Sequence, residues 1–196
     1  IFALESGLDE VAVTGGNDPF ELRGKLLSHN SRAIEVLDRA AELSGWGNPS
    51  EGRFLGMAYT DYLETYQVQV AEISVSQRGT VTVHKVTCVA DCGQVFNPHI
   101  ARQQLEGGII FGLTAALKGE INVQNGQIVQ SNFDDYPMLK LKDTPEIKVH
   151  LIDNHESPGG LGEAGTPLIG PAVANAVFAA TGKRLRRLPI RRKDLV

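Results

Sequence analysis

The chain has 196 residues, of which 42% are apolar and 21% are charged, and its formal net charge at pH 7 is −4. The length suits one large domain or two small ones, and the composition is that of an ordinary globular protein, so disordered and collagen-like chains are excluded. No apolar run reaches the ~20 residues of a membrane-spanning helix, so we expect no transmembrane segment. The only basic cluster lies in residues 183–193, and the acidic balance argues against a nucleic-acid partner.

The first 45 residues are predicted to be helical, because apolar residues recur at helical spacing. Asp18 followed by Pro19 is typical of a helix N-terminus, and a further helix is predicted over residues 31–43. A loop is predicted after it. We therefore expect a helical segment over residues 1–50.

Strands dominate the middle of the chain, and helices return after them. The predicted elements are a hairpin of residues 66–76 and 80–89, a helix at 100–117, a second hairpin of 119–123 and 127–130, a strand at 146–152 and a helix at 171–181. Because helices and strands do not alternate regularly, the predicted fold class is α+β, with mixed or antiparallel sheets and packed helices. We expect residues 51–196 to form this α+β region.

The cysteine and histidine spacing predicts neither a disulfide nor a metal site held by this chain. Cys88 and Cys92 are four residues apart in one predicted strand, hence ~13 Å apart, which is too far for a disulfide. The five histidines have no metal-ligand spacing, so we expect no structural zinc and no iron–sulfur cluster ligated from within the chain. The motifs of nucleotide binding and serine hydrolysis are missing as well.

A glycine-rich segment with one carboxylate stands out at residues 158–167 (PGGLGEAGTP), directly before the last predicted helix. Glycines let a backbone approach a ligand closely, and a carboxylate fixed at Glu163 could act as a general base. The alternative is a flexible connection in which Glu163 only favours the positive end of the following helix. Taken alone, the residues favour this plainer alternative.

A second polar segment runs from a strand end into a long helix, at residues 91–98 (DCGQVFNP). Asn97 and Pro98 would start the helix, and Gln103, Gln104 and Glu106 lie in its early turns. Side-chain amides there could bind a polar cofactor by hydrogen bonds. Ordinary helix capping and a solvated first turn are the alternative, which the residues alone favour.

Together with three further blocks, these two segments resemble a family: the molybdenum-binding large subunits of the xanthine dehydrogenase and aldehyde oxidase class. The branch that the chain resembles most includes isoquinoline 1-oxidoreductase β subunits and related aldehyde dehydrogenases. The blocks are residues 90–98 (ADCGQVFNP), 104–112 (QLEGGIIFG), 131–137 (SNFDDYP), 160–163 (GLGE) and 171–184 (PAVANAVFAATGKR) with the following Leu188-Pro189. Five ordered blocks are hard to obtain by chance.

The resemblance implies that the chain is the C-terminal half of a molybdopterin-binding domain. It implies hydroxylation of an aldehyde or N-heterocyclic carbon with oxygen from water, at a molybdenum–pterin dinucleotide in its cytosine form. Glu163 matches the family's catalytic base, and Gln104 matches a position that contacts the pterin. Gly160 and Gly162 would let the loop approach the cofactor closely, and no residue of this chain is expected to ligate the metal.

The resemblance covers nearly the whole chain but only the C-terminal part of the parent subunit. Because the chain starts at Ile1 within a helical pattern, we interpret it as part of a longer polypeptide. The expected partners are the remainder of the large subunit, a small [2Fe–2S] subunit that receives the electrons, and a small-molecule substrate. A bacterial periplasmic or membrane-associated complex is favoured over a cytoplasmic one, and this chain alone would hold the base without retaining the cofactor tightly.

Two other functions compete with the enzyme. A structural or assembly module could share the fold and use its polar loops only for packing against partner chains. A free-standing small-molecule binding protein would need a closed apolar pocket, which no feature of the sequence indicates. The intact loop around Glu163 favours the enzyme, because an inactive relative has no chemical need for a carboxylate there.

Overall fold

The computed structural model describes residues 1–196. Its helices are α1 (Phe2–Thr14), α2 (Pro19–Leu27), α3 (Ser31–Ser44), α4 (Pro98–Leu117) and α5 (Ile169–Thr181), and its strands are β1 (Phe54–Tyr62), β2 (Thr65–Val75), β3 (Val81–Asp91), β4 (Val123–Gln124), β5 (Gln127–Ile128) and β6 (Glu146–Leu151). Two short 3₁₀ helices lie at Leu141–Asp143 and Arg192–Asp194. The arrangement confirms the α+β class. None of the helices is long and apolar enough to cross a membrane.

A four-stranded mixed sheet in the order β1-β2-β3-β6 is the centre of the fold. β1, β2 and β3 pair antiparallel, whereas β6 returns parallel to β3. Side chains of successive strand residues point to opposite faces, so each strand contributes to two cores. One core packs α3 on the sheet, and the larger core packs α4 and α5 on the opposite face. The molecule therefore has three layers.

The N-terminal helices are held by their caps and by one buried ion pair. Asp18 accepts hydrogen bonds from the first turn of α2, as its position before Pro19 predicts. The Arg23 guanidinium lies 2.8 Å from the Glu5 carboxylate, and both side chains are almost fully buried. Because Glu5 also accepts a 2.8 Å hydrogen bond from the Tyr59 amide, this pair joins α1 and α2 to the sheet. The division of the chain at residue 50 stays a prediction.

The other helices and most strands lie where the sequence predicts them, but β1 has no counterpart among the predicted strands. The central Gly56 weakens the strand pattern in the sequence of β1, and the structure explains why glycine is needed there. A Cβ at Gly56 would lie 2.1 Å from the backbone nitrogen of Ala176 in α5. Only glycine allows this close crossing of strand and helix. The second hairpin forms around Asn125-Gly126, and its strands have only two residues each.

Both cysteines are buried, and both are free, as their spacing predicts. Cys88 lies inside β3 on the face that packs against α4 and α5, and Cys92 directly follows the strand. Burial raises the pKa of the Cys88 thiol to about 12, although a hydrogen bond from Gln67 opposes the change. The Cys88 side chain is therefore a protonated thiol at neutral pH.

Candidate active site

The glycine-rich loop, which we define as residues 158–167, leads into α5 and lies on the same side of the sheet as α4. Its first half is bonded to two neighbouring turns. Gly159 donates a 2.8 Å hydrogen bond to the Cys92 carbonyl, and Gly160 donates a 2.7 Å bond to the Leu63 carbonyl. The Thr65 hydroxyl donates to the Gly160 carbonyl at 2.7 Å. The loop is thus fixed to the β1–β2 turn and to the end of β3.

The β1–β2 turn itself has an uncommon conformation. Leu63 and Glu64 both have positive φ angles, 52° and 61°, although neither is glycine. Such a conformation costs about 1–2 kcal/mol per residue and persists only where the surroundings enforce it. The two-residue β1–β2 hairpin requires it, because both central residues of a type I′ turn have positive φ angles. The glycine-rich loop packs closely on this turn, since a Cβ at Gly159 would lie 2.7 Å from the Glu64 carbonyl oxygen. Turn and loop are therefore packed as one unit.

The second half of the loop is bonded to the sheet and wedged against α4. The buried Gln69 side chain of β2 donates a 2.9 Å hydrogen bond to the Gly165 carbonyl. A Cβ at Gly165 would lie 2.5 Å from the Leu105 carbonyl oxygen and 3.0 Å from the Gly108 Cα. Loop and helix backbones therefore touch here without side chains between them.

Glu163 lies between these two anchored halves. Its side chain is exposed and lines a cavity of about 250 Å³ together with Thr65 and Gln67. Its carbonyl accepts a 3.0 Å hydrogen bond from the Thr166 amide, which closes a turn within the loop. The carboxylate is thus carried by a fixed backbone but faces open space.

Gln104 lies in the second turn of α4 and reaches the same loop. Its side-chain amide donates a hydrogen bond to the Gly162 carbonyl, directly before Glu163. Gln104 also lines a second cavity, of about 380 Å³, whose polar side chains include the amides of Gln94 and Asn97. Gly162 lines both cavities. The loop therefore separates a carboxylate-lined cavity from an amide-lined one.

A buried carboxylate fixes the turn that supplies these amides. Asp91 accepts two 2.7 Å hydrogen bonds from the Arg32 guanidinium, one of 2.8 Å from Asn154 and one of 3.0 Å from the Gly93 amide. Burial alone would raise the pKa of Asp91, but these hydrogen bonds outweigh it and lower the pKa below its usual value. The Arg32 guanidinium also stacks on the Tyr66 ring, 4.6 Å from its centroid. The start of the turn is therefore rigidly held.

The structure brings the four residues named in the sequence analysis into one region, although their roles stay predictions. Gln104 and Gly162 are in direct contact, and Glu163 is next to them. No atom lies within 4 Å of a Cβ built at Gly162, so its free side points to open space. A Cβ at Gly160 would lie 2.9 Å from the Leu63 side chain, so this glycine serves the fit to the β1–β2 turn.

Sequence reasoning missed the residues of β2 and the β1–β2 turn that hold the loop, namely Leu63, Thr65 and Gln69. One signal was available, because Gln67 and Gln69 alternate in an otherwise apolar strand and therefore share one face. What that face packs against follows only from the tertiary structure. No group of three or more histidine, cysteine or acidic side chains in the chain is placed to hold a metal ion.

Comparison with known families identifies the type of domain. A family model described as a molybdopterin cofactor-binding domain matches residues 39–145, just over half of the chain. The matched range contains Gln104 and the amide-bearing turn, whereas Glu163 follows it.

Individual relatives match almost the whole chain. It is 38% identical over 195 residues to the β subunit of isoquinoline 1-oxidoreductase from Brevundimonas diminuta, covering 97% of this chain and 25% of that one. It is 34% identical over 216 residues to a membrane-bound aldehyde dehydrogenase (pyrroloquinoline-quinone) from Gluconacetobacter polyoxogenes, covering 100% of this chain and 28% of that one. The chain thus spans about a quarter of the length of these relatives.

A solved structure shows the same fold. Quinoline 2-oxidoreductase from Pseudomonas putida 86 superposes with a TM-score of 0.61 at 24% identity, over 66% of this chain and 18% of that one. At this level of identity the likeness concerns the fold.

Proposed function

The chain belongs to the molybdopterin cofactor-binding domain family of molybdenum hydroxylases, and from this premise we propose that it is part of an enzyme that oxidises an aldehyde or N-heterocyclic carbon with oxygen from water. The observation that carries the proposal is the position of Glu163. Its carboxylate is exposed to a cavity, and the preceding carbonyl, of Gly162, is held by Gln104. A base must be positioned at the reacting atoms, and the anchored backbone around Glu163 supports this role.

The amide-lined cavity suits a neutral polar heterocycle such as a pterin. Its volume of about 380 Å³ is within the usual range for small-molecule sites, and Gln94, Asn97 and Gln104 supply amide groups that both donate and accept. No lysine, arginine or histidine lines it. The phosphates of a pterin dinucleotide, here proposed in the cytosine form, would therefore meet their positive partners outside this cavity.

When bound, the cofactor supplies the two-electron oxidation that carbon hydroxylation requires. The part of this chain is to hold the pterin through Gln104, to let it approach through Gly162, and to accept a proton at the Glu163 carboxylate. Because Glu163 is exposed in this chain, the cofactor and neighbouring polypeptide would enclose it in the assembled enzyme.

The proposed partners are the remainder of the large subunit, a small [2Fe–2S] subunit that receives the electrons, and the substrate. Uncovered apolar side chains around the site support the first of these. Phe96, Ile100 and Phe111 are all more than 60% exposed beside or along α4. Clustered exposed apolar side chains mark an interaction surface, so a further polypeptide would cover this side.

The test of cofactor binding is metal and pterin analysis of the assembled enzyme, by which we mean this chain expressed with the rest of the large subunit and a [2Fe–2S] subunit. We expect molybdenum and pterin in the native enzyme and about tenfold weaker pterin binding after Gln104→Ala, since one or two hydrogen bonds are lost. Gln103→Ala is the matched control, because Gln103 is exposed on the same helix but does not line the cavity.

The proposal fails if the assembled enzyme contains no molybdenum. It also fails in its assignment of Gln104 if both alanine variants bind pterin equally well. One relative is named for pyrroloquinoline quinone, and recovery of that quinone in place of a pterin would replace the cofactor proposed here.

A further inference from the structure

Gln69 is a fully buried polar side chain in the middle of the sheet. It is paired with Ala58 of β1 and Cys88 of β3, and its neighbours along β2 are Val68 and Val70. A buried amide costs free energy unless its polar atoms are hydrogen-bonded. The contacts of this amide therefore indicate why glutamine stands at this position.

Only one end of the Gln69 amide has a partner. Its Nε2 donates to the Gly165 carbonyl at 2.9 Å, while its Oε1 is buried without any hydrogen bond. A carbonyl can only accept, so the orientation of the amide is fixed by this bond. The side chain leaves its acceptor oxygen unused and contributes a single directed contact to the glycine-rich loop.

Gly165 is the first loop position after Glu163 that is bonded to another element. Before Glu163, Gly162 is held by Gln104. Between these two anchors lie only Glu163 and Ala164, and the Thr166 amide closes the turn by donating to the Glu163 carbonyl. The backbone at Glu163 is thus held by one anchor on each side.

We propose that Gln69 is a positioning residue that fixes Glu163 by holding the Gly165 carbonyl from the sheet. This inference rests on the proposed function only in so far as Glu163 is the base. Gln69 itself does not line the Glu163 cavity and so acts through the loop. It is the sheet-side counterpart of Gln104, which holds the loop from the helix.

Hydrogen exchange of residues 158–167 tests the structural part directly and does not depend on turnover. We expect about tenfold faster exchange in Gln69→Leu than in the native assembled enzyme, because one buried hydrogen bond that closes the segment is lost. Gln67→Leu is the matched control: Gln67 is equally buried on the same strand face, but its amide donates to the Cys88 sulfur at 3.0 Å and not to the loop. Native exchange in Gln69→Leu, or equal acceleration in both variants, overturns the proposal.

Turnover of the molybdenum-loaded enzyme tests the functional part. For Gln69→Leu we expect native molybdenum content, a nearly native KM and a kcat lower by about one to two orders of magnitude, because a misplaced base loses rate rather than affinity. A raised KM with native kcat contradicts a positioning role. If Gln69→Leu does not fold, Gln69→Met retains the length of the side chain and takes its place.

The role of Glu163 as the base and the role of Gln69 in holding the loop can be disproved independently. Full activity of Glu163→Gln would remove Glu163 as the base, yet the exchange experiment would still decide whether Gln69 holds the loop. Faster exchange in Gln69→Leu together with native kcat would show that the anchored loop does not serve catalysis, which overturns the positioning role.

Discussion

Four glycines around Glu163 are tied to other elements by backbone groups, so the glycine content of this loop does not make it flexible. Gly159 and Gly160 are bonded to the turns after β3 and β1, and Gly162 and Gly165 are bonded to side chains of α4 and β2. The missing side chains permit close approach, which is a different use of glycine from conformational freedom. The plainer alternative of a flexible connection therefore does not describe this loop.

The ion pair of Asp91 and Arg32 gives a prediction with a pH dependence. The pKa of Asp91 is lowered in the folded state, so its stabilising contribution is present above the unfolded pKa of about 3.9 and is lost as the pH falls through the folded pKa. Arg32→Leu leaves the buried carboxylate unpaired and should lower the free energy of unfolding at pH 7 by about 3 kcal/mol. Urea unfolding at pH 7 and below pH 4 measures the difference, which should shrink on acidification.

The matched control for this prediction lies on the same helix. Arg39 makes a 2.8 Å ion pair with Glu42, but both side chains are largely exposed. Arg39→Leu should change stability much less and without the acid-dependent component, because exposed pairs contribute little. Equal losses of unfolding free energy in Arg32→Leu and Arg39→Leu would show that the burial of Asp91 does not make its ion pair more stabilising.

At the scale of elements, α4 and the glycine-rich loop approach each other through glycines on both sides. A Cβ at Gly112 would lie 2.5 Å from the Thr166 carbonyl oxygen, whereas no atom lies within 4 Å of a Cβ at Gly107. Gly112→Ala should therefore destabilise by about 1–3 kcal/mol through overpacking. Gly107→Ala should stabilise by about 0.5–1 kcal/mol, since alanine is the better helix former.

Thermal and urea unfolding of Gly112→Ala and Gly107→Ala measures the two changes in stability and tests this prediction. Both substitutions add one methyl group in the same helix five residues apart, so helix propensity cancels between them. Stabilisation by Gly112→Ala would mean that the loop can move away from α4 without cost, and the rigid placement of Gln104 beside Glu163 would lose its support.

β1, the strand that the sequence does not predict, shows what sequence patterns cannot reveal. The hairpin of β2 and β3 follows from its β-branched residues, and the caps at Asp18 and Asn97 follow from their residue types. β1 contains Gly56 and Ala58 because α5 crosses it closely, and that crossing is a contact of residues far apart in the chain. Local pattern and long-range packing therefore give conflicting signals at β1.

The candidate site likewise contains some residues that the sequence identifies and others that only the structure reveals. Glu163 and Gln104 stand in recognisable blocks of the sequence, so their family resemblance could be stated in advance. Gln69 and Thr65 stand in no such block, and their contacts with Gly165 and Gly160 bridge about 95 residues. Such contacts become visible only when the sheet and the loop are placed together.

At the scale of the whole molecule, exposed apolar side chains cluster along α1, along the outer side of α4 and around β4 and β5. In the last of these regions Phe133 is 81% exposed and Leu141 is 92% exposed. A hairpin of two short strands is only marginally stable alone. These surfaces fit the proposal that a further part of the large subunit packs here, since the chain spans about a quarter of its relatives.

The most direct test of Glu163 as the base compares the assembled enzyme in its native form with Glu163→Gln, at equal molybdenum content. Turnover of an aldehyde or an N-heterocycle is measured with an artificial electron acceptor, and Glu156→Gln serves as the control because Glu156 lies just ahead of the glycine-rich loop and outside both cavities. We predict that Glu163→Gln binds molybdenum but loses about 100-fold or more in turnover, whereas Glu156→Gln stays active. Native turnover of the molybdenum-loaded Glu163→Gln enzyme would contradict the assignment.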